Sequence, residues 1–323
     1  MCIRDRPYPG DRREYGAARV RIGEVPVLDR GVMLPGPFQV ARALATTRVL
    51  DVPDLADTLE VLHRDPVENA FVATRVEAVG LDPWRLGGEM WGWFDADGQL
   101  ESLCYAGANL VLVNAGPEAV RAFAERARRQ GRRCSSIVGP AGPTAALWAL
   151  LERSWGPARE VRAHQPLLAT ALPSAEVAPD PLVRRVLRSE IDALMPACVA
   201  MFTEEVGISP LAGDGGLLYQ ARVAELVGAG RSFARFDEHG QVVFKAEVGA
   251  VTSGACQIQG VWVAPDHRGR RLSESGMAAV LGFALNDVAP VVSLYVNDYN
   301  VRARAAYRRV GFREVGAFMS VLF

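Results

Sequence analysis

Residues 261–280 read VWVAPDHRGRRLSESGMAAV, and three arginines, Arg268, Arg270 and Arg271, fall within four positions. The stretch that leads into them, CQIQGVWVAP (256–265), alternates at first and then turns mostly apolar, as an interior strand does, and Pro265 ends it. From Ser273 onward, Met277, Val280, Leu281, Ala284, Leu285 and Val288 recur at helical spacing. DHRGRRLS therefore joins a strand to a helix. A helix start carries partial positive charge, so cations gathered there are unfavourable by themselves. An incoming anion reverses that balance. Backbone N–H groups point at it, and arginine adds forked donors that match phosphate. The plainer reading is a solvated basic turn, balanced in part by Asp266 and Glu274.

Downstream, VSLYVNDYNVRARAAYRRVGF (292–312) reads as a strand followed by a helix. Asn300 stands where an N-cap belongs. Ala303, Ala306, Tyr307 and Val310 share one helix face, and Gly311 closes the helix before Phe312 resumes a strand. Taken alone, this segment needs no function: Asn300 is a cap, Tyr307 a core aromatic and Gly311 a stop.

The bulk properties narrow the field. A chain of 323 residues suggests two domains, and half of its residues are hydrophobic, enough for two cores. Lys plus Arg number 36 against 37 Asp plus Glu, a net charge of -1. That balance argues against general binding to nucleic acid or to an anionic membrane, so any anion site is local. The five cysteines, Cys2, Cys104, Cys134, Cys198 and Cys256, are scattered without a CxxC, which fits reduced thiols in a cytoplasmic protein. The four histidines show no metal-ligand spacing, so no metal is expected. No apolar run approaches the roughly 18 residues of a membrane span. The start, MCIRDRPYPGDRREYG, is too polar for a secretory signal, and residues 1–18 are expected to be a disordered or artefactual start.

Three prolines in ATALPSAEVAPDPLV (169–183) mark a linker, placed at 172–181. The chain on its two sides looks alike. RVLDVPDLADTLEVL and then FDADGQLESLCYAGANLVLV precede it, while RRVLRSEIDALMPACVAMF and then FDEHGQVVFKAEVGAV follow it. Each half offers a short strand, a helix, and a hairpin turning on DGQ or HGQ, then helix, strand and helix. The expectation is a duplicated α/β unit with mixed sheets flanked by helices, comprising residues 19–171 and 182–323. In the first half GPEAVRAFAERARRQG (116–131) is an amphipathic helix stopped by Gly131, yet nothing there matches the arginine turn. Only the second half is expected to hold an anion site, which makes the first a degenerate copy.

Val263-x-Pro265-x-x-Arg268-Gly269-x-x-Leu272, followed by a strand and then Asn300-x-x-Ala303-x-x-x-Tyr307-x-x-x-Gly311-Phe312, resembles the GNAT superfamily of acetyl-CoA-dependent N-acetyltransferases. The resemblance covers about residues 182–323. The first half, with its linker, resembles the uncharacterised domain that precedes a GNAT domain in certain actinobacterial proteins. One position departs from the family loop: its usual glycine is Arg271 here, and its last small residue is Ser273.

The resemblance implies transfer of an acetyl group from acetyl-CoA to a primary amine, on a small molecule or a protein. Backbone of Val261, Trp262 and Val263 would pair with the pantetheine arm, and a strand N–H would polarise the thioester carbonyl. The turn Arg268, Gly269, Arg270, Arg271, Leu272 and Ser273 would hold the pyrophosphate, and Asn300 would contact the coenzyme near its arm. Tyr307 would assist the departing thiolate. A tyrosine near pKa 10 and a thiol near 8.5 differ by about 1.5 units, or about 2 kcal/mol uphill for full transfer, so Tyr307 stabilises developing charge first.

An amine acceptor needs a base, and Glu247, inside an otherwise apolar strand, is the first candidate, with an exposed strand carboxylate as the plainer reading. Gln257 and Gln259 stand where several family members carry a glutamate; glutamine could position a water that relays to Glu247. Glu204 and Glu205, after the first helix of the second half, would suit a cationic acceptor, or simply end a solvated helix. A homodimer fits this picture. The alternative is a non-catalytic acyl-CoA-binding or regulatory protein, in which Arg271 and the missing strand glutamate mark lost turnover.

Overall fold

The computed structural model describes residues 47–212 and 215–323, so the expected disordered start at 1–18 lies outside the described residues. Strand β1 (Thr47–Val49) leads through a short turn into helices α1 (Leu55–His63), α2 (Ala70–Val79) and α3 (Pro83–Leu86). Strands β2 (Gly88–Phe94), β3 (Leu100–Gly107) and β4 (Asn109–Val113) follow, then α4 (Pro117–Gln130), β5 (Ser136–Pro140), α5 (Ala141–Trp155) and β6 (Glu160–Thr170). The second half repeats the order. It has β7 (Arg184–Arg185), α6 (Ile191–Val206), α7 (Gly215–Gly228), β8 (Ser232–Phe236), β9 (Val242–Val251) and β10 (Cys256–Val263). It then continues with α8 (Leu272–Asp287), β11 (Val292–Tyr295), α9 (Val301–Val310) and β12 (Arg313–Leu322).

Local sequence explains the repeat most clearly at two turns. FDADGQ and FDEHGQ build the same hairpin. Asp95 Oδ1 accepts from the N–H groups of Asp97 and Gln99, and Asp237 Oδ1 accepts from those of His239 and Gln241. Gly98 and Gly240 supply the positive φ that each turn needs, at 81° and 74°. The two hairpins are thus related in both chemistry and backbone.

All twelve strands form one mixed sheet, in the order β1-β2-β3-β4-β5-β12-β6-β11-β10-β9-β8-β7. The order is nearly a mirror, with one exchange at the centre. The last strand of each half pairs with the next-to-last strand of the other: β12 with β5, and β6 with β11. β12 and β6 also pair with each other, from Arg313↔Ala169 to Leu322↔Glu160. The halves therefore share backbone hydrogen bonds along a continuous seam.

Helices cover both faces. On one face, α8 and α9 pack Met277, Val280, Leu281, Ala303 and Val310 against Phe244, Ile258 and Leu294, while α4 and α5 pack against Leu110, Ile137 and Val321. On the other face, α1 and α2 cover Leu103 and Val111, and α6 and α7 cover Ala234 and Val242. The proline-bearing segment after β6 stays free of helix, as its prolines require, yet it is packed down. Ser174 N donates to Val310 O (2.9 Å), and Asp180 Oδ2 accepts from Arg235 Nη1 (2.7 Å).

Candidate active site

The parallel pair at the centre of the second half is short. β10 and β11 pair only at Cys256↔Val292 and Gln257↔Ser293. Beyond that point β11 stays with β6, whereas β10 stays with β9 through Val263↔Phe244. The two strands diverge, and the edge of β10 that faces the split carries main-chain groups from Ile258 to Val263. A bulge lies in this stretch, with Gly260 at φ 61°. Only glycine fits there: a Cβ would stand 2.8 Å from Glu247 Cδ and 3.0 Å from Lys245 Nζ.

The arginine turn lies at the end of β10. Arg271 has φ 59° and ψ 17°, so it adopts the left-handed conformation at the residue before α8 and makes no side-chain cap. It is one of two non-glycine residues with positive φ among the described residues. That conformation costs about 1–2 kcal/mol for a side chain larger than glycine's. The result is an uncapped helix start whose first N–H groups face a cavity of about 410 Å³ bordered by Val263, Arg268, Arg271, Ser273, Arg302 and Arg309. Gly269, at φ 78°, has open space where a side chain would be.

The basic residues are not equivalent. Arg268 points back into the protein: Nε donates to Val263 O (3.0 Å) and Nη2 to Glu204 Oε2 (2.7 Å). Glu204 also accepts from Trp262 Nε1 (3.1 Å), so the carboxylate ties α6 to β10 and to the loop. Arg268 is thus a brace of the loop as well as part of the cavity wall. Arg309 Nη1 donates to Glu274 Oε1 (2.5 Å). Arg271 makes no ion pair among the described residues and is exposed at the cavity. Arg302 and Arg309 were not among the residues singled out from sequence. The signal was present, because their spacing of seven places both on one face of α9.

Asn300 caps α9 through Oδ1, which accepts from Ala303 N (3.1 Å). Tyr307, on the same helix, is 0 % exposed, and its ring meets Phe312 edge-on at 6.1 Å. The pair expected at Glu204 and Glu205 separates. Glu205 is 4 % exposed and accepts from Arg162 Nη1 (2.5 Å) and Asn297 Nδ2 (3.0 Å). Two consecutive helical residues point about 100° apart, which sends one toward the loop and the other into the seam. Glu205 therefore belongs to a buried network in which Asn297 Oδ1 accepts from Gln165 Nε2 and Gln165 Oε1 accepts from Ser320 Oγ.

Glu247 is committed as well. Lys245 Nζ donates to its Oε2 (2.9 Å), with the lysine side chain 0 % and the glutamate 13 % exposed. Burial alone would lower the Lys245 pKa, but attraction to Glu247 and to Cys198 raises it overall. Gln259 faces Glu247 across the β9–β10 ladder. Among the described residues no group of three or more His, Cys, Asp and Glu side chains could hold a metal, and no helix is long and apolar enough to cross a membrane.

The α/β fold thus places a diverging parallel strand pair beside an uncapped helix start bordered by arginines. Residues 209–312 match the family described as Acetyltransferase (GNAT) family. Residues 88–194 match a domain of unknown function, DUF4081, in keeping with an uncharacterised domain that precedes the GNAT domain. No curated protein matches the sequence.

Solved structures share the fold across both halves. A GNAT-family acetyltransferase from Colwellia psychrerythraea superposes with a TM-score of 0.52 at 13 % identity, over 86 % of this chain and 99 % of that one. A GCN5-related N-acetyltransferase from Sphaerobacter thermophilus gives 0.52 at 19 % identity, over 85 % and 93 %. A tandem GNAT protein from the clavulanic acid biosynthesis pathway gives 0.52 at 13 % identity, over 85 % and 98 %. The matched family transfers acyl groups from acyl-CoA, and the fold of the tandem structure extends over both halves of this chain.

Proposed function

We propose that the protein is a cytoplasmic N-acetyltransferase that moves an acetyl group from acetyl-CoA to a primary amine by direct attack in a ternary complex. The observation that carries this reading is the alignment of the β10–β11 split with the uncapped start of α8 and its arginine-bordered cavity. The pyrophosphate sits on the turn from Arg268 to Ser273, with Arg271 and Arg302 adding positive charge and Arg268 holding the loop in shape. Main chain of Val261, Trp262 and Val263 receives the arm, and a strand N–H polarises the carbonyl. Asn300 fixes the start of α9, and Tyr307 meets the departing sulfur from the buried side of that helix. Glu247 takes the amine proton through a water held by Gln259, with Lys245 fixing the carboxylate. Glu204 acts through Arg268. The halves 19–171 and 182–323 work as one unit joined by the strap at 172–181.

A second reading is a non-catalytic acyl-CoA binder. It draws on the left-handed Arg271, on the tie between Arg268 and Glu204, and on the complete burial of Tyr307.

Calorimetric titration with acetyl-CoA and with free CoA, beside Arg302→Ala, tests the shared premise. Micromolar binding that weakens at least about fivefold in the variant is expected for one lost charge-assisted contact. Absence of binding to either ligand would sink both readings. Thiol release from acetyl-CoA in the presence of a panel of primary amines then separates the enzyme from the binder.

A further inference from the structure

On the face of the sheet opposite α8 and α9 lies a second cavity, of about 440 Å³. It is formed by both halves of the chain. Phe71 of α2 and Val111 of β4 come from the first half, and Phe202 of α6 and Tyr295 of β11 come from the second. Its floor crosses the exchanged strands, where Phe318 of β12 stands opposite Gln165 of β6 and packs on Tyr295 at 5.3 Å between ring centroids. Gln257 and Gln259 border it as well. Gln257 is the last β10 residue paired with β11, and Gln259 lies just beyond it. The cleft therefore opens on the same split as the arginine-bordered cavity, but from the other side.

Its charges are uneven. Arg162 is already held by Glu160 and Glu205. Arg159 gives Nη1 to Val206 O (2.7 Å). Glu68, just before α2, is half-buried and borders the cavity, and its carboxylate makes no ion pair or hydrogen bond among the described residues. Only its main-chain N–H is engaged, by Asp65 Oδ1 (2.8 Å). Burial first, and the nearby Asp65 second, push the Glu68 pKa up. A carboxylate in an aromatic-walled cleft, with an acid and no cation beside it, is incomplete until a cation arrives.

We infer that this cleft is the acceptor site, that it takes a small cationic amine on an apolar, aromatic-sized body, and that Glu68 of the N-terminal half binds the ammonium. The inference rests on the acyl-transfer reading for the identity of the cleft's occupant as acceptor. It gives the degenerate half a chemical task. Coenzyme and acceptor then approach the split from opposite faces of one sheet, and neither blocks the other. The volume lies within the range of small-ligand pockets, and a folded protein or a nucleic-acid strand is too large for it.

The test uses the full chain without any coenzyme. 4-Phenylbutylamine and its neutral counterpart 4-phenylbutanol are titrated calorimetrically into wild type and Glu68→Gln. The substitution is isosteric and breaks no side-chain bond, so the variant keeps its fold. Wild type is expected to bind the amine about tenfold more tightly than the variant does, as for one lost charged contact. The alcohol should bind both proteins equally and more weakly than the amine binds wild type. Absence of amine binding to wild type, or equal binding to both proteins, overturns the inference. Because acetyl-CoA is left out, this failure is separate from a failure of the coenzyme titration above.

Discussion

Replacing Lys245 by methionine tests how the candidate base is held. The lysine is fully buried, and its ammonium has Glu247 as its ion-pair partner at 2.9 Å. Methionine fills similar volume but removes the charge, so the carboxylate stays behind in a mostly apolar layer beneath α6. Removing one member of a buried pair costs about 3–5 kcal/mol, chiefly because the remaining charge is uncompensated. Glu247 retains 13 % exposure, which admits some water and places the effect at the low end, about 3 kcal/mol. At about 2 °C per kcal/mol for a chain of this size, the melting temperature falls by about 6 °C.

The double variant Lys245→Met with Glu247→Leu removes both charges and should regain most of the loss. The pH dependence has a defined sign. The folded Lys245 pKa is raised from its ordinary value of 10.5, so its contribution is complete below that value and disappears as pH rises through the folded pKa. Wild type should lose stability above about pH 10.5 by an increment that Lys245→Met lacks. Thermal and urea unfolding report these differences. A loss below about 1 kcal/mol in the single variant, or no recovery in the double variant, would refute the reasoning, since either result means that the pair is solvated.

Two further outcomes follow from the site. Arg271→Gly relieves about 1–2 kcal/mol of left-handed strain against about 0.5–1 kcal/mol of added chain entropy, so stability should stay equal or rise slightly. Its affinity for acetyl-CoA should fall about threefold to tenfold by calorimetry; tighter binding would mean that the arginine obstructs the loop. Tyr307→Phe should keep the fold, because the buried ring remains, and lower kcat at least about tenfold with little change in KM for acetyl-CoA. Unchanged turnover would remove the tyrosine from the chemistry.

What the sequence determined by itself is local. The FDxxGQ turns, the strand that ends at Pro265, the cap at Asn300 and the stop at Gly311 depend on residues within a few positions of each other. Propensity, capping and backbone freedom decide such features wherever the segment lies. The arginine turn was legible for the same reason, including the departure from glycine at Arg271. The tertiary structure decided everything that joins distant segments. Alternation of apolar residues shows which face of a strand is buried but not which strand lies beside it, so the exchange of β6 and β12 was hidden. The tie from Glu204 to Arg268 spans 64 positions, and that from Glu205 to Arg162 spans 43. Neither could be read from spacing. Glu68 carries no motif at all. Its place in a cleft between the halves arises only because the shared sheet brings α2 and α6 to the two sides of one floor, where burial without a partner gives an ordinary glutamate a distinct chemistry.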